Sequence, residues 1–123
     1  YAPAEIPGEP LAWPADSRLR ELALAACADA GLGRSFPGRV LSGDTFLADP
    51  ERAAALHRDL HGSCVEMEGA AVAQVCAASG VPFVIIRSVS DRADGGASPD
   101  FREFTALAAR HSAAVVEALL KRL

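Results

Sequence analysis

The stretch Val65-Glu66-Met67-Glu68-Gly69-Ala70-Ala71 leaves the backbone few options. An apolar lead-in suits a strand, while the glycine and alanines that follow give a strand face nothing to pack with. The segment reads as a strand over 63–67 that turns at once into a helix from about Gly69 to Ser79, stopped by Gly80. Two carboxylates sit at the turn. Side chains at i and i+2 of an extended chain share a face, but here the chain is already bending, so Glu66 and Glu68 need not share a fate. Junctions of this type are where open parallel α/β sheets place their ligands. A second apolar run, Val81 to Val89, is nearly continuous, like a parallel strand covered on both faces, and it ends in Ser90-Asp91. Two acids, each at the carboxyl end of a buried strand, form the expected chemical centre.

The rest of the chain supports the same architecture. Residues 1–14 carry Pro3, Pro7, Pro10 and Pro14 and read as an extended connection. Asp16 or Ser17 caps a helix whose apolar stripe is Leu19, Leu22, Ala23, Ala26 and Ala30, with Gly31 as its stop. Residues 38–43 form a short strand that breaks at Gly43-Asp44, and Asp49-Pro50 opens a helix with Ala53, Leu56 and Leu60 inward. The helix after Gly69 is apolar on nearly every side and is expected to be buried on several faces. Ser98-Pro99 starts a long last helix with Phe101, Phe104, Ala108, Val115 and Leu119 on one side. Lys121 and Arg122 suit its C-terminal dipole. Strands alternating with helices mean α/β: a three-layer arrangement with a mostly parallel sheet flanked by helices. About three strands are too few to close a two-sided sheet, so 1–123 reads as the second half of one doubly wound domain. The chain begins with Tyr1 and its sole methionine is Met67, which fits a piece of a longer product.

Composition removes several classes of function. Twelve basic against 16 acidic residues give a net charge of −4, with no basic run, so nucleic acid is not an expected partner. No apolar stretch approaches a membrane span. Cys27, Cys64 and Cys76 are odd in number and read as reduced core thiols in a cytoplasmic protein. No His, Cys or Asp set has metal-ligand spacing, and there is no phosphate-cradling glycine loop. No cofactor is expected.

Arg87 is the cation that needs explaining. A guanidinium in an apolar strand must be paired or reach a cleft, and its natural partners are acids at a neighbouring strand end. Glu66 and Glu68 equally suit a helix N-terminus, Asp91 equally suits a turn, and Phe46 is a stacking platform or a core ring. His57, His61 and His111 are scattered and read as exposed or structural.

Taken together, three stretches resemble the bacterial 5′-methylthioadenosine/S-adenosylhomocysteine nucleosidases, of the nucleoside phosphorylase/hydrolase superfamily. They are Ser42-Gly43-Asp44-Thr45-Phe46-Leu47, Val65 to Ala71, and Val81-Pro82-Phe83-Val84 through Arg87-Ser88-Val89-Ser90-Asp91-Arg92-Ala93-Asp94. The likeness covers nearly the whole chain, in order, and matches the C-terminal half of such an enzyme.

The resemblance implies hydrolysis of the N-glycosidic bond of 5′-substituted adenosines. Asp91 matches the proton donor to N7 of the departing adenine. Glu68 matches the carboxylate that binds the ribose hydroxyls, with Met67 beside it. Leu47 sits where the backbone reads the base edge, and Phe46 where a ring stacks on it. Arg87 and Ser90 support the two acids, and Phe101 lines the 5′ pocket. Ile6-Pro7 resembles a loop that reaches the partner subunit of a homodimer. The water-activating glutamate of the family belongs to its other half. A purine nucleoside phosphorylase is the alternative enzyme, and a catalytically dead fragment keeping an adenosine-binding or dimer surface is the non-enzymatic one.

Overall fold

The computed structural model describes residues 7–32, 34–90 and 101–123, with side chains from residue 104 onward in the last segment. In chain order these form α1 (Ser17–Asp29), β1 (Arg39–Ser42), α2 (Pro50–Leu60), β2 (Gly62–Glu66), α3 (Gly69–Ala78) and α4 (Phe101–Leu120). The expected loop 91–97, the Ser98-Pro99 helix start and Ile6 lie outside the described residues.

Local chemistry sets these bounds. The Asp16 carboxylate accepts from the Leu19 amide at 2.8 Å and so caps α1. Asp49 does the same for α2 through the amides of Glu51 and Arg52, with Pro50 in the first turn. Gly31 and Gly80, just past α1 and α3, take the left-handed backbone at φ +67° and +65°, which glycine adopts without a Cβ penalty. At the end of α2 that conformation falls to His61, at φ 54°. His57, one turn earlier, braces the bend through a 2.8 Å hydrogen bond between Nδ1 and the Gly62 carbonyl.

β1 and β2 pair in parallel, Val40 beside Cys64, Leu41 beside Val65 and Ser42 beside Glu66, with α2 as the crossover. Helix α3 packs against β1, and α2 against β2. The best-buried core lies between α1 and α4, where Val115 meets Ala26 and Cys27, with Ala30, Leu32, Ala118 and Leu119 around them. Arg122 closes this pair by donating from Nε to Asp29 at 2.8 Å. Both basic residues at this end lie beyond α4 and are held by acids, since Lys121 bonds Glu117.

Two expectations need correction. Val81–Val89 forms no strand ladder among the described residues. A strand exists only through a neighbour's amides and carbonyls, and among the described residues the one ladder is that between β1 and β2. The segment is tied instead at its start, by Val81 N to the Cys76 carbonyl, and at Phe83, whose carbonyl accepts from Asp16 N at 2.9 Å. Helix α3 is also not covered on several faces: Gly69 and Ala73 are buried, while Val75 is 66% exposed. Its apolar surface is wider than the one sheet face it packs on.

Candidate functional site

The two parallel strands end side by side, and both ends feed one cleft. From β1 the chain runs through Ser42 into the loop that carries Phe46 and Leu47. From β2 it runs through Glu66 into Met67 and Glu68 before α3 begins. The segment after α3 brings Arg87 and Ser90 to the same place. Phe46, Leu47, Met67, Glu68, Arg87 and Ser90 all line this cleft of about 590 Å³, together with Leu56, His57 and Cys64. Six of the residues singled out from the sequence are thus neighbours in space. Asp91 lies outside the described residues, as does the side chain of Phe101.

The two glutamates separate sharply. Glu66 caps α3: its oxygens accept from the Gly69 amide at 2.9 and 2.8 Å and from the Glu68 amide at 3.1 Å. The Ser42 hydroxyl donates to the same carboxylate and accepts from the Ala70 amide at 2.7 Å. Glu68 stands at the cap position of α3, yet its side chain makes no cap bond there. That leaves it for the cleft, where Arg87 Nη2 reaches Glu68 Oε2 at 3.0 Å and Glu66 Oε2 at 3.5 Å.

Electrostatics follow from these contacts. Burial pushes the Glu66 carboxyl up, but the Ser42 hydroxyl, the amides of Glu68 and Gly69, and Arg87 together hold it below its ordinary value. Glu66 is therefore an anion at neutral pH. Burial raises the Cys64 thiol, the Glu66 charge raises it further and Arg87 opposes both, so this thiol is not an activated nucleophile. Among the described residues no group of three His, Cys, Asp or Glu side chains is placed to hold a metal ion.

Ser42 is the functional position that sequence reasoning undervalued. A Ser-Gly-Asp loop carries little information alone; its meaning comes from the register that sets Ser42 beside Glu66. His57 likewise lines the cleft, brought there by the turn it braces. Chemically, the cleft offers an exposed aromatic ring, a carboxylate able to accept hydrogen bonds from hydroxyls, and a cation that orients that carboxylate.

Residues 3–121 match the family described as the phosphorylase superfamily. The chain belongs to the phosphorylase superfamily. The 5′-methylthioadenosine/S-adenosylhomocysteine nucleosidase of Shewanella halifaxensis is 40% identical over 124 residues, which cover 100% of this chain and 54% of that protein. The Campylobacter jejuni nucleosidase of the same name superposes with a TM-score of 0.88 at 34% identity, over 97% of this chain and 52% of its own. A Helicobacter pylori futalosine hydrolase gives a TM-score of 0.85 at 34% identity, over 97% and 51%. The chain spans about half the length of these superfamily members. The parallel sheet flanked by helices is the fold it shares with them.

Proposed function

We propose that the whole protein hydrolyses the N-glycosidic bond of 5′-methylthioadenosine and S-adenosylhomocysteine, giving adenine and the 5′-thioribose. The supporting observation is the convergence of Phe46, Leu47, Met67, Glu68, Arg87 and Ser90 on one cleft beyond two parallel strand ends. Departure of a purine builds positive charge on the sugar and negative charge on the base, so the site must serve opposite needs a few ångströms apart. In this reading Glu68 accepts from the ribose hydroxyls and steadies the cationic sugar, with Arg87 holding it. Phe46 stacks on the adenine, and Met67 packs beside the sugar. Asp91, next to Ser90, gives its proton to N7 as the C1′–N9 bond breaks. Water supplies the hydroxyl to C1′, and its remaining proton leaves with a base that is none of the residues assigned here. Phe101 is assigned to the 5′ pocket.

The likeness to a futalosine hydrolase supports a second reading, in which the protein is a hydrolase acting on futalosine. We also read the protein as a cytoplasmic homodimer built from one domain to which residues 1–123 contribute. The free thiols Cys27, Cys64 and Cys76 fit a reducing compartment. The test is adenine release from 5′-methylthioadenosine by the full protein with and without phosphate. Release independent of phosphate is expected, and Asp91→Asn is expected to slow it about 10²–10⁴-fold. A strict need for phosphate would make the enzyme a phosphorylase, and no release at all would refute the reading.

A further inference from the structure

Glu66 is the one acid of the cluster to which the proposed chemistry gives no task. Its side chain is only 6% exposed, against 65% for Glu68, and it is anchored from two elements at once. Ser42 holds it from β1, and the first amides of α3 hold it from the other side. One guanidinium nitrogen, Arg87 Nη2, sits between this fixed carboxylate and the freer one. We propose that Glu66 is a positioning residue for sugar recognition: locked to Ser42 and α3, it fixes Arg87, and through Arg87 it sets the direction and the net charge of Glu68 at the cleft.

Charge and lone-pair competition at Arg87 connect the two carboxylates. Two carboxylates around one guanidinium keep a net negative charge, so Arg87 orients Glu68 without neutralising it. With Glu66 made neutral, Arg87 turns its full charge on Glu68 and competes for the oxygens that would accept from a vicinal diol. Recognition of the sugar should then weaken while recognition of the base is kept. A carboxylate that served only as a helix cap would behave otherwise: stability would fall, and sugar preference would not change.

The inference rests on the reading of Glu68 as the sugar-binding acid. Its test reads binding rather than turnover, so that it can fail separately from the proposed reaction. Affinities of the full protein for adenosine and 2′-deoxyadenosine are measured by titration calorimetry, for the wild type, Glu66→Gln, Glu66→Asp and Ser42→Ala. The wild type is expected to favour adenosine. Glu66→Gln is expected to cut that preference about 3–10-fold, the scale of one weakened hydrogen bond to a charged group. Ser42→Ala should move it the same way by less, and Glu66→Asp, which keeps the charge, should recover part of it. A folded Glu66→Gln protein with lower Tm and unchanged preference overturns the inference. If Glu66→Gln does not fold, an unchanged preference in Ser42→Ala overturns it. A preference that falls as expected in a protein releasing no adenine would uphold it while refuting the nucleosidase reading.

Discussion

Replacing Arg87 by methionine separates what the acid cluster does for stability from what it does for the site. The contact to Glu68 is 3.0 Å long, but both side chains are substantially exposed, and ion pairs in that setting contribute about 0.2–1 kcal/mol. The contact to the buried Glu66 is longer, at 3.5 Å, and Glu66 keeps the Ser42 hydroxyl and the amides of Glu68 and Gly69 when Arg87 is gone. Stranding a buried charge with no other partner costs about 3–5 kcal/mol. Here the carboxylate is not stranded, so the loss on urea unfolding should be about 1 kcal/mol or less. Turnover should nonetheless fall at least about tenfold, because Glu68 loses the group that aims it. The decisive measurement is the urea midpoint of Arg87→Met beside the wild type, with the m-value confirming the same transition. A loss of about 3 kcal/mol or more would show that Glu66 depends on Arg87 after all, and the account of its anchoring would be wrong.

Val115→Ala removes two carbons from the contact between α1 and α4, where Val115 is 2% exposed. Transfer and cavity effects together predict a loss of about 2 kcal/mol in the same urea experiment, against less than about 0.5 kcal/mol for the half-exposed Val116→Ala; similar losses for both would mean the contact is not a core. Glu66 also links stability to pH. Its folded-state pKa lies below the unfolded value near 4.5, so its contribution is fully present above that value and drains away as pH falls through the folded pKa. Urea midpoints from pH 7 to pH 3 should therefore fall less steeply for Glu66→Gln than for the wild type, and parallel curves would contradict the linkage.

What could be read from the chain divides along the range of the forces involved. Capping by Asp16 and Asp49, the glycine stops and the strand-to-helix turn at Glu68 depend on residues within four positions, and all lie where the sequence puts them. Arg87 was legible as a cation seeking acids, and its partners are acids at a strand end, but it meets them 40% exposed at the cleft and not buried within a strand. The resemblance set Glu68 apart from Glu66, but the anchoring of Glu66 was not legible. It turns on which carboxylate meets the α3 amides and on a hydroxyl 24 residues away, neither of which leaves a local pattern. The run 81–89 misled for the opposite reason: its composition suits a strand, but pairing belongs to a neighbour and not to the run itself.

Two of the long-range ties among the described residues differ in what they ask of a flexible polymer. Ser42 and Glu66 stand 24 residues apart, whereas Asp29 and Arg122 stand 93 apart. Each doubling of a closed loop adds about 0.6 kcal/mol of lost chain entropy. The two closures differ by about two doublings, so joining the terminal helices costs about 1.2 kcal/mol more in ordering than joining the strand ends. The acid cluster is thus assembled by the entropically cheaper of the two closures, and weakening the bond between α1 and α4 need not take it apart.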